Sequence, residues 1–440
     1  MPLRRSENGD GHGQLPLVAP ARGMRHAFVR LHRWIGLATA LFLGLAGLTG
    51  SLLAFKDELE ALINPRLFVV EARPGAAAID PFVLRERVEA RFPQARADYL
   101  PFPGPGASAK FFLWPRPGAA DARLPALDMD EVFFDPYTGD YLGGRKWGAL
   151  LDDGVFRREN IVPFIWRVHE ALALPHPWGK LFMGVVALMW TLDCFIGFVL
   201  TLPGRSPLFA KWKAAWSIKR GASAFRRMFD LHRSLGLWCW LLLLVFAWSS
   251  VMLNLRTVVY QPLMSLAFRF DDTEIRRLAE PDYQPRIAWR EARAIGSALL
   301  QREAADRGFA IRAESSLWYR PALGAYLYRS HTALDIREHG AASDIWIDGR
   351  SGQAIAMHFE RSAARGNVLS EWLRALHTGR VFGTFYRVLV ALLGVVVTVL
   401  SITGAWIWWK KRKARQVLQR TSHSHRRHAY LQDRLRSRGS

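Results

Sequence analysis

The chain has 440 residues, with 60 Lys and Arg against 38 Asp and Glu, a net charge of +22, and half of its residues apolar. Its mean hydropathy of +0.01 hides a segregation of the apolar residues into a few blocks, which excludes an ordinary soluble basic protein seeking nucleic acid. The two cysteines, Cys194 and Cys239, exclude a disulfide framework, a Cys-ligated zinc site and covalent haem attachment through CxxCH.

Residues 1–30 form a basic cytoplasmic lead. The segment 31–55 is the first span, with Trp34–Phe55 free of Asp, Glu, Lys and Arg. Its 33-residue lead and long apolar run predict a retained span rather than a removable signal peptide, whose apolar core is about 7–15 residues. Residues 56–165 form a first outer domain, with a charged helical stretch near Phe82–Arg91 and a strand-like run before Asp135. Residues 166–202 hold Trp166, His169 and the block Leu181–Leu202, whose one charged residue is Asp193. A basic loop, 203–230, leads to the third span at 231–255, with the block Ser234–Leu255. Residues 256–370 form a second outer domain, with a helical stretch near Trp289–Arg307. Residues 371–409 hold Trp372, His377 and the block Val388–Trp409, and 410–440 is a basic tail. Each apolar block has 22 residues. At about 1.5 Å per residue it spans roughly 33 Å, enough for a hydrocarbon core of about 30 Å.

Lys and Arg set the orientation. Residues 1–33, 203–233 and 410–440 carry net charges of +4, +7 and +10, and the rest of the chain only +1. Both termini and the short loop are therefore expected in the cytoplasm, with the two long loops outside. The basic segments then act as topology signals and as contacts to anionic lipid.

The chain repeats with a period near 200 residues. Leu31-His32-Arg33 precedes the first span and Leu231-His232-Arg233 the third. Gly36 and Gly236 each follow the histidine by four residues, on the same helix face. Asp135-Pro136-Tyr137-Thr138-Gly139 and Asp348-Gly349-Arg350-Ser351-Gly352 each predict a tight turn between two strands. Trp166 and His169 precede the second span as Trp372 and His377 precede the fourth. The expected fold is a membrane protein of four transmembrane α-helices in a pseudo-two-fold bundle, with two α+β outer domains. Repeats crossing in the same direction are related by an axis along the membrane normal.

Such an axis brings His32 to face His232, and His169 to face His377. Facing imidazoles from two helices supply the two axial nitrogens of a low-spin b-type haem. Gly36 and Gly236 would permit close approach of a flat macrocycle. Arg33 and Arg233 at the inner pair, and Arg167, Arg374 and Arg380 near the outer pair, suit haem propionates. Arg33 and Arg233 also fit plain positive-inside anchoring. The expectation is two haems b, one in each leaflet. His176 competes with His169 as the outer ligand. A single zinc or copper site would need all four histidines in one place.

Asp193 is costly inside a membrane and carries two readings, a proton or quinone role and a structural partner in the bundle. Cys194 and Cys239 read as packing residues. Trp190, Trp238 and Trp248 read as interfacial tryptophans or as residues flanking a porphyrin. Gly44, Gly47 and Gly50 read as close helix packing or clearance for a cofactor. His423, His425 and His428 lie in an Arg-rich tail and read as a solvated segment. No nucleotide-binding pattern is present, so electrons are expected from quinol or a separate cytoplasmic reductase.

The two Leu-His-Arg starts, the two Asp-x-x-[Thr/Ser]-Gly turns, Trp166…His169, Trp372…His377 and the Trp406-Ile407-Trp408-Trp409-Lys410-Lys411 exit together resemble the PepSY-associated transmembrane family. The resemblance covers residues 25–415. It implies an inner-membrane protein with PepSY-like periplasmic domains and, as in characterised members, haem and the reduction of iron held by a siderophore. His169 departs from the pattern, standing after Val168 and only three residues beyond its Trp. Two other functions are expected in its place if redox chemistry is absent: a membrane-anchored PepSY sensor or protease regulator, and a transporter that uses Asp193.

Overall fold

The computed structural model of the chain describes residues 22–71, 73, 77–117, 126–203, 207–271, 275–338 and 340–436, with side chains up to 417 other than those of Arg22 and Leu208. His423, His425 and His428 therefore lie outside the described side chains. Among the described residues, three helices are long and apolar enough to cross a membrane: Gly23–Leu53, Trp178–Thr201 and Gly383–Val417. A fourth crossing exists if the pair Ala224–Trp238 and Trp240–Asn254 forms one span, and this pair is bent by 69°. The third span, expected as the unbroken block Ser234–Leu255, is thus interrupted at Cys239. The backbone there leaves the helical region, at φ −96° and ψ 2°. The indoles on either side are tied to different neighbours, Trp238 to the carbonyl of Trp216 at 3.0 Å and Trp240 to that of Cys194 at 2.9 Å.

The chain divides into two compact units. One takes the described parts of Met1–Ala38, Leu192–Trp240 and Thr403–Ser440. Its helix ends are closed by side chains. Arg25 donates to the carbonyls of Leu200 and Leu202, satisfying the last turn of the second spanning helix. Ser223 caps the helix Ala224–Trp238 by accepting from the Arg226 N–H. On that helix Asp230 is buried and paired with Arg226 and Arg233, one turn away on either side. Trp212, Trp216 and Trp238 pack ring against ring beside them.

The second unit takes Thr39–Thr191 and Leu241–Ile402. Its transmembrane part contains a close crossing of the first and last spanning helices. A Cβ on Gly47 would fall 2.5 Å from the Gly394 carbonyl oxygen, and one on Gly394 2.4 Å from that of Gly47. Glycine at both places lets the backbones touch, and Ser51 donates across the gap to the Ala391 carbonyl at 2.7 Å.

The long loops form the rest of this unit. Helices Pro81–Arg91 and Trp289–Arg307 stand where the sequence predicts charged helices. Asp80 caps the first by accepting from the Phe82 N–H, with Pro81 at the first helical position. The strand Ser343–Asp348 buries Ser343, Ile345 and Ile347 and turns the residues between them outward, the period of a one-sided sheet. Both predicted turns form. Asp135 accepts from the N–H groups of Tyr137 and Thr138, and Asp348 from those of Arg350 and Ser351. Each turn closes on a glycine of positive φ, Gly139 at +77° and Gly352 at +75°.

The two loops do not fold around separate cores. An antiparallel five-stranded sheet runs in the order Ala354–His358, Ser343–Asp348, Ala325–Thr332, Ile311–Arg320 and Tyr99–Pro101. Its last strand comes from the first loop, with Leu100 opposite Leu317. The first loop's own sheet joins Ala109–Phe112, Glu131–Phe134 and Tyr141–Arg145. One hydrophobic cluster includes Phe82 and Val88 from the first loop's helix, Ala292 and Leu300 from the second's, and strand residues of both. Within the three-stranded sheet Arg145 is buried between two buried carboxylates, bonded to Glu60 at 3.0 Å and to its cross-strand neighbour Glu131 at 2.7 Å.

Candidate functional site

His32 and His232 come together in the first unit, on the first spanning helix and on the helix Ala224–Trp238. Their ring centroids are 6.1 Å apart, with the ring planes at 62°. Nδ1 of His32 donates to Asp193 Oδ1 at 2.8 Å. Nδ1 of His232 is 2.9 Å from the Thr403 hydroxyl. Glycines back both rings. A Cβ on Gly197 would stand 3.6 Å from Cε1 of His32, and one on Gly404 3.2 Å from Cε1 of His232. Gly36 serves differently, since its Cβ would meet Asp193 Oδ2 at 4.0 Å.

In the second unit His169, on the short helix Ile161–Ala171, comes together with His377, on Arg365–Thr378. Their centroids are 6.2 Å apart at 55°. Nδ1 of His169 lies 3.1 Å from both the Ala46 carbonyl and the Thr49 hydroxyl. Thr49 already gives its proton to the Leu45 carbonyl at 2.7 Å, so the imidazole is the donor. Ser249 likewise donates to the Phe246 carbonyl and accepts from Nδ1 of His377 at 2.8 Å. Phe246 stacks on His377 at 5.1 Å, and a Cβ on Gly50 would come within 3.0 Å of Cε1 of His169.

A donor role for Nδ1 leaves the lone pair on Nε2, the form in which imidazole binds a metal. Burial favours the same form at the His169–His377 pair, whose two short helices are not spanning helices. It pushes His169 below the ordinary histidine range and His377 down to about 3, with the neighbouring His169 and Arg374 adding to the effect. The rings of each pair stand close, with centroids 6.1 Å and 6.2 Å apart, and each pair would hold a metal centre that takes one imidazole nitrogen from each ring. Among the described residues no three His, Cys, Asp or Glu gather as a metal cluster.

The arginines are less available. Arg233 is bound to Asp230 and to the Ala214 carbonyl, Arg167 to the Gly148 carbonyl and Arg374 to Glu371. Arg33 is half-buried next to His32, and Arg380 is half-buried near Gly340. His176 is exposed. Trp166 donates to Glu170, Trp238 lies against Trp216 and Trp248 against Tyr260. Cys194 and Cys239 are free thiols, the first buried. The residues that sequence reasoning missed are the ring partners Thr49, Ser249, Thr403, Gly197 and Gly404. The 200-residue repeat carried a signal for one pair, because Thr49 and Ser249 occupy the same place in the two copies.

Helices that cross a membrane, a mixed α+β portion and paired half-buried histidines define a multi-pass membrane protein with two candidate metal-ligand pairs. The model of the PepSY-associated TM region matches residues 29–411, and the chain belongs to that family. Comparison with curated proteins gives no match.

Proposed function

We propose that the protein is a di-haem oxidoreductase of the bacterial inner membrane. It would take electrons on its basic, cytoplasmic side from quinol or a cytoplasmic reductase. It would deliver them to a periplasmic acceptor, with Fe(III) held by a siderophore as the substrate that the family resemblance implies. The observation that carries this reading is the doubled histidine geometry, two imidazole pairs at 6.1 Å and 6.2 Å with their Nδ1 atoms engaged.

In this reading His32 and His232 would hold one haem b, and His169 and His377 the other. Bound haem would supply one-electron chemistry, which apolar helices and imidazoles lack. The absence of a CxxCH pattern makes the attachment non-covalent. The protein's own residues hold and orient. Asp193, Thr403, Thr49 with the Ala46 carbonyl, and Ser249 fix the ring orientations. Gly36, Gly236, Gly197, Gly404 and Gly50 keep side chains away from the ligand rings or the cofactor edge. Arg33 and Arg380 are the arginines we assign to propionates. Arg233 could join them only by giving up Asp230. Reduction frees the iron because Fe(II) binds hard oxygen chelators less tightly than Fe(III).

The test is single turnover in detergent. Protein reduced with a limiting amount of dithionite is mixed with a ferric hydroxamate siderophore and a ferrous-specific chromophoric chelator. The reading expects reoxidation of the haem α-band with one trapped Fe(II) per electron. Reduced haem that stays reduced in the presence of several ferric siderophores contradicts it.

A further inference from the structure

Three of the four histidines direct Nδ1 at neutral groups: the Thr403 hydroxyl, the Ala46 carbonyl with the Thr49 hydroxyl, and the Ser249 hydroxyl. Among the described residues, His32 alone of the four faces a carboxylate across a hydrogen bond, that of Asp193 at 2.8 Å, with the Asp193 side chain 13% exposed. The difference sits inside a duplicated scaffold. Gly197 and Gly404 back the two inner rings in the same way, yet the same offset counted from Asp193 reaches Leu400. The second copy holds its ring with Thr403 instead. The carboxylate is therefore specific to one ligand of one pair.

We infer that Asp193 is a positioning residue that sets the His32–His232 centre to a lower redox potential than the His169–His377 centre. This rests on the haem reading above. A carboxylate that accepts the Nδ1–H of a metal-bound imidazole makes the ligand more basic. A more basic ligand stabilises the oxidised, more positive iron over the reduced one. Hydroxyl and carbonyl partners do this less, because they carry no net charge. Gly36, one turn from His32, leaves room beside Asp193 Oδ2. A lower potential at the His32 centre has the sign that favours electron flow from it to the other centre. It also gives the costly intramembrane carboxylate a specific use.

The experiment is a potentiometric titration of the full-length protein, read in the haem α-band. The midpoint that belongs to His32 is identified by its disappearance in His32→Ala. Asp193→Asn is expected to raise that midpoint by at least a tenfold change in its oxidation equilibrium, about 59 mV for one electron. The other midpoint should stay in place. Asp193→Glu, which keeps the charge, should stay near wild type. Thr403→Asp, which offers His232 a carboxylate, should lower the same midpoint, and it decides the matter if Asp193→Asn does not retain the haem. Two haems with midpoints unmoved by Asp193→Asn and Thr403→Asp would overturn the inference and leave the haem reading standing. Wild-type protein without haem would overturn both.

Discussion

Thr49 and Ser249 stand 200 positions apart in the chain, and each sets a hydroxyl against a histidine Nδ1, that of His169 at 3.1 Å and that of His377 at 2.8 Å. Both hydroxyls spend their proton on the preceding helical turn, so both accept. Their environments differ in one respect. His169 has the Ala46 carbonyl as a second acceptor, while His377 has stacking from Phe246. Ser249→Ala should therefore weaken retention of the haem proposed at His169 and His377 by about 10–100-fold, the usual cost of losing such a partner. Thr49→Val should cost less. The haem-to-protein ratio after gel filtration separates the two, and equal losses would contradict the distinction.

The Gly47–Gly394 crossing makes a stability prediction. Gly394→Ala places a methyl group 2.4 Å from the Gly47 carbonyl oxygen, a contact that only a shift of the helix backbones relieves. The cost should be about 1–3 kcal/mol, as for overpacking elsewhere. Thermal unfolding in detergent should show a lowered midpoint. Gly23→Ala, with nothing within 4 Å of the added carbon, serves as the neutral control.

Arg145 is buried with Glu60 and Glu131. Arg145→Leu leaves the buried Glu60 without its cation and Glu131 with only the more distant Lys110 at 3.6 Å, and should destabilise the protein by about 3–5 kcal/mol. Replacing all three residues by leucine removes the unpaired charges and should recover much of that loss. A triple variant no more stable than Arg145→Leu would show that the cost lies in packing.

Asp98 gives a pH dependence outside the membrane. Burial raises its carboxyl to about 6, against the opposing pull of Arg96 and Arg85. The ion pair with Arg96 at 2.7 Å is real, but desolvation outweighs it. The folded protein thus binds this proton more tightly than the unfolded chain, whose Asp titrates near 3.9. Its contribution is present at low pH and is lost as pH rises from about 4 to about 6. The unfolding midpoint of wild type relative to Asp98→Asn should therefore fall across that interval. A relative midpoint that climbs instead would reverse the sign assigned here.

Much of the architecture was legible because it is local. Uncharged runs long enough to span, the Pro81–Arg91 helix with its Asp80 cap, and the Asp135 and Asp348 turns all follow from neighbouring residues. The break at Cys239 was hidden, because a uniformly apolar run does not reveal which indole is held by which distant carbonyl. The strand Tyr99–Pro101 was also hidden, because it pairs with Ile311–Arg320, more than 200 residues away, and no periodicity encodes that register. At the site, the doubling made His32, His232, His169 and His377 candidates. It carried no sign that Asp193 meets His32, because that partner breaks the repeat.

The central claim is most directly tested by counting haem. A pyridine haemochrome assay on purified wild-type protein, expressed with ample haem supply, should give two haems b per chain. His32→Ala and His232→Ala should each remove the same one, and His169→Ala and His377→Ala the other. Protein that is folded and free of haem, or a shared loss in His32→Ala and His169→Ala, would contradict the account.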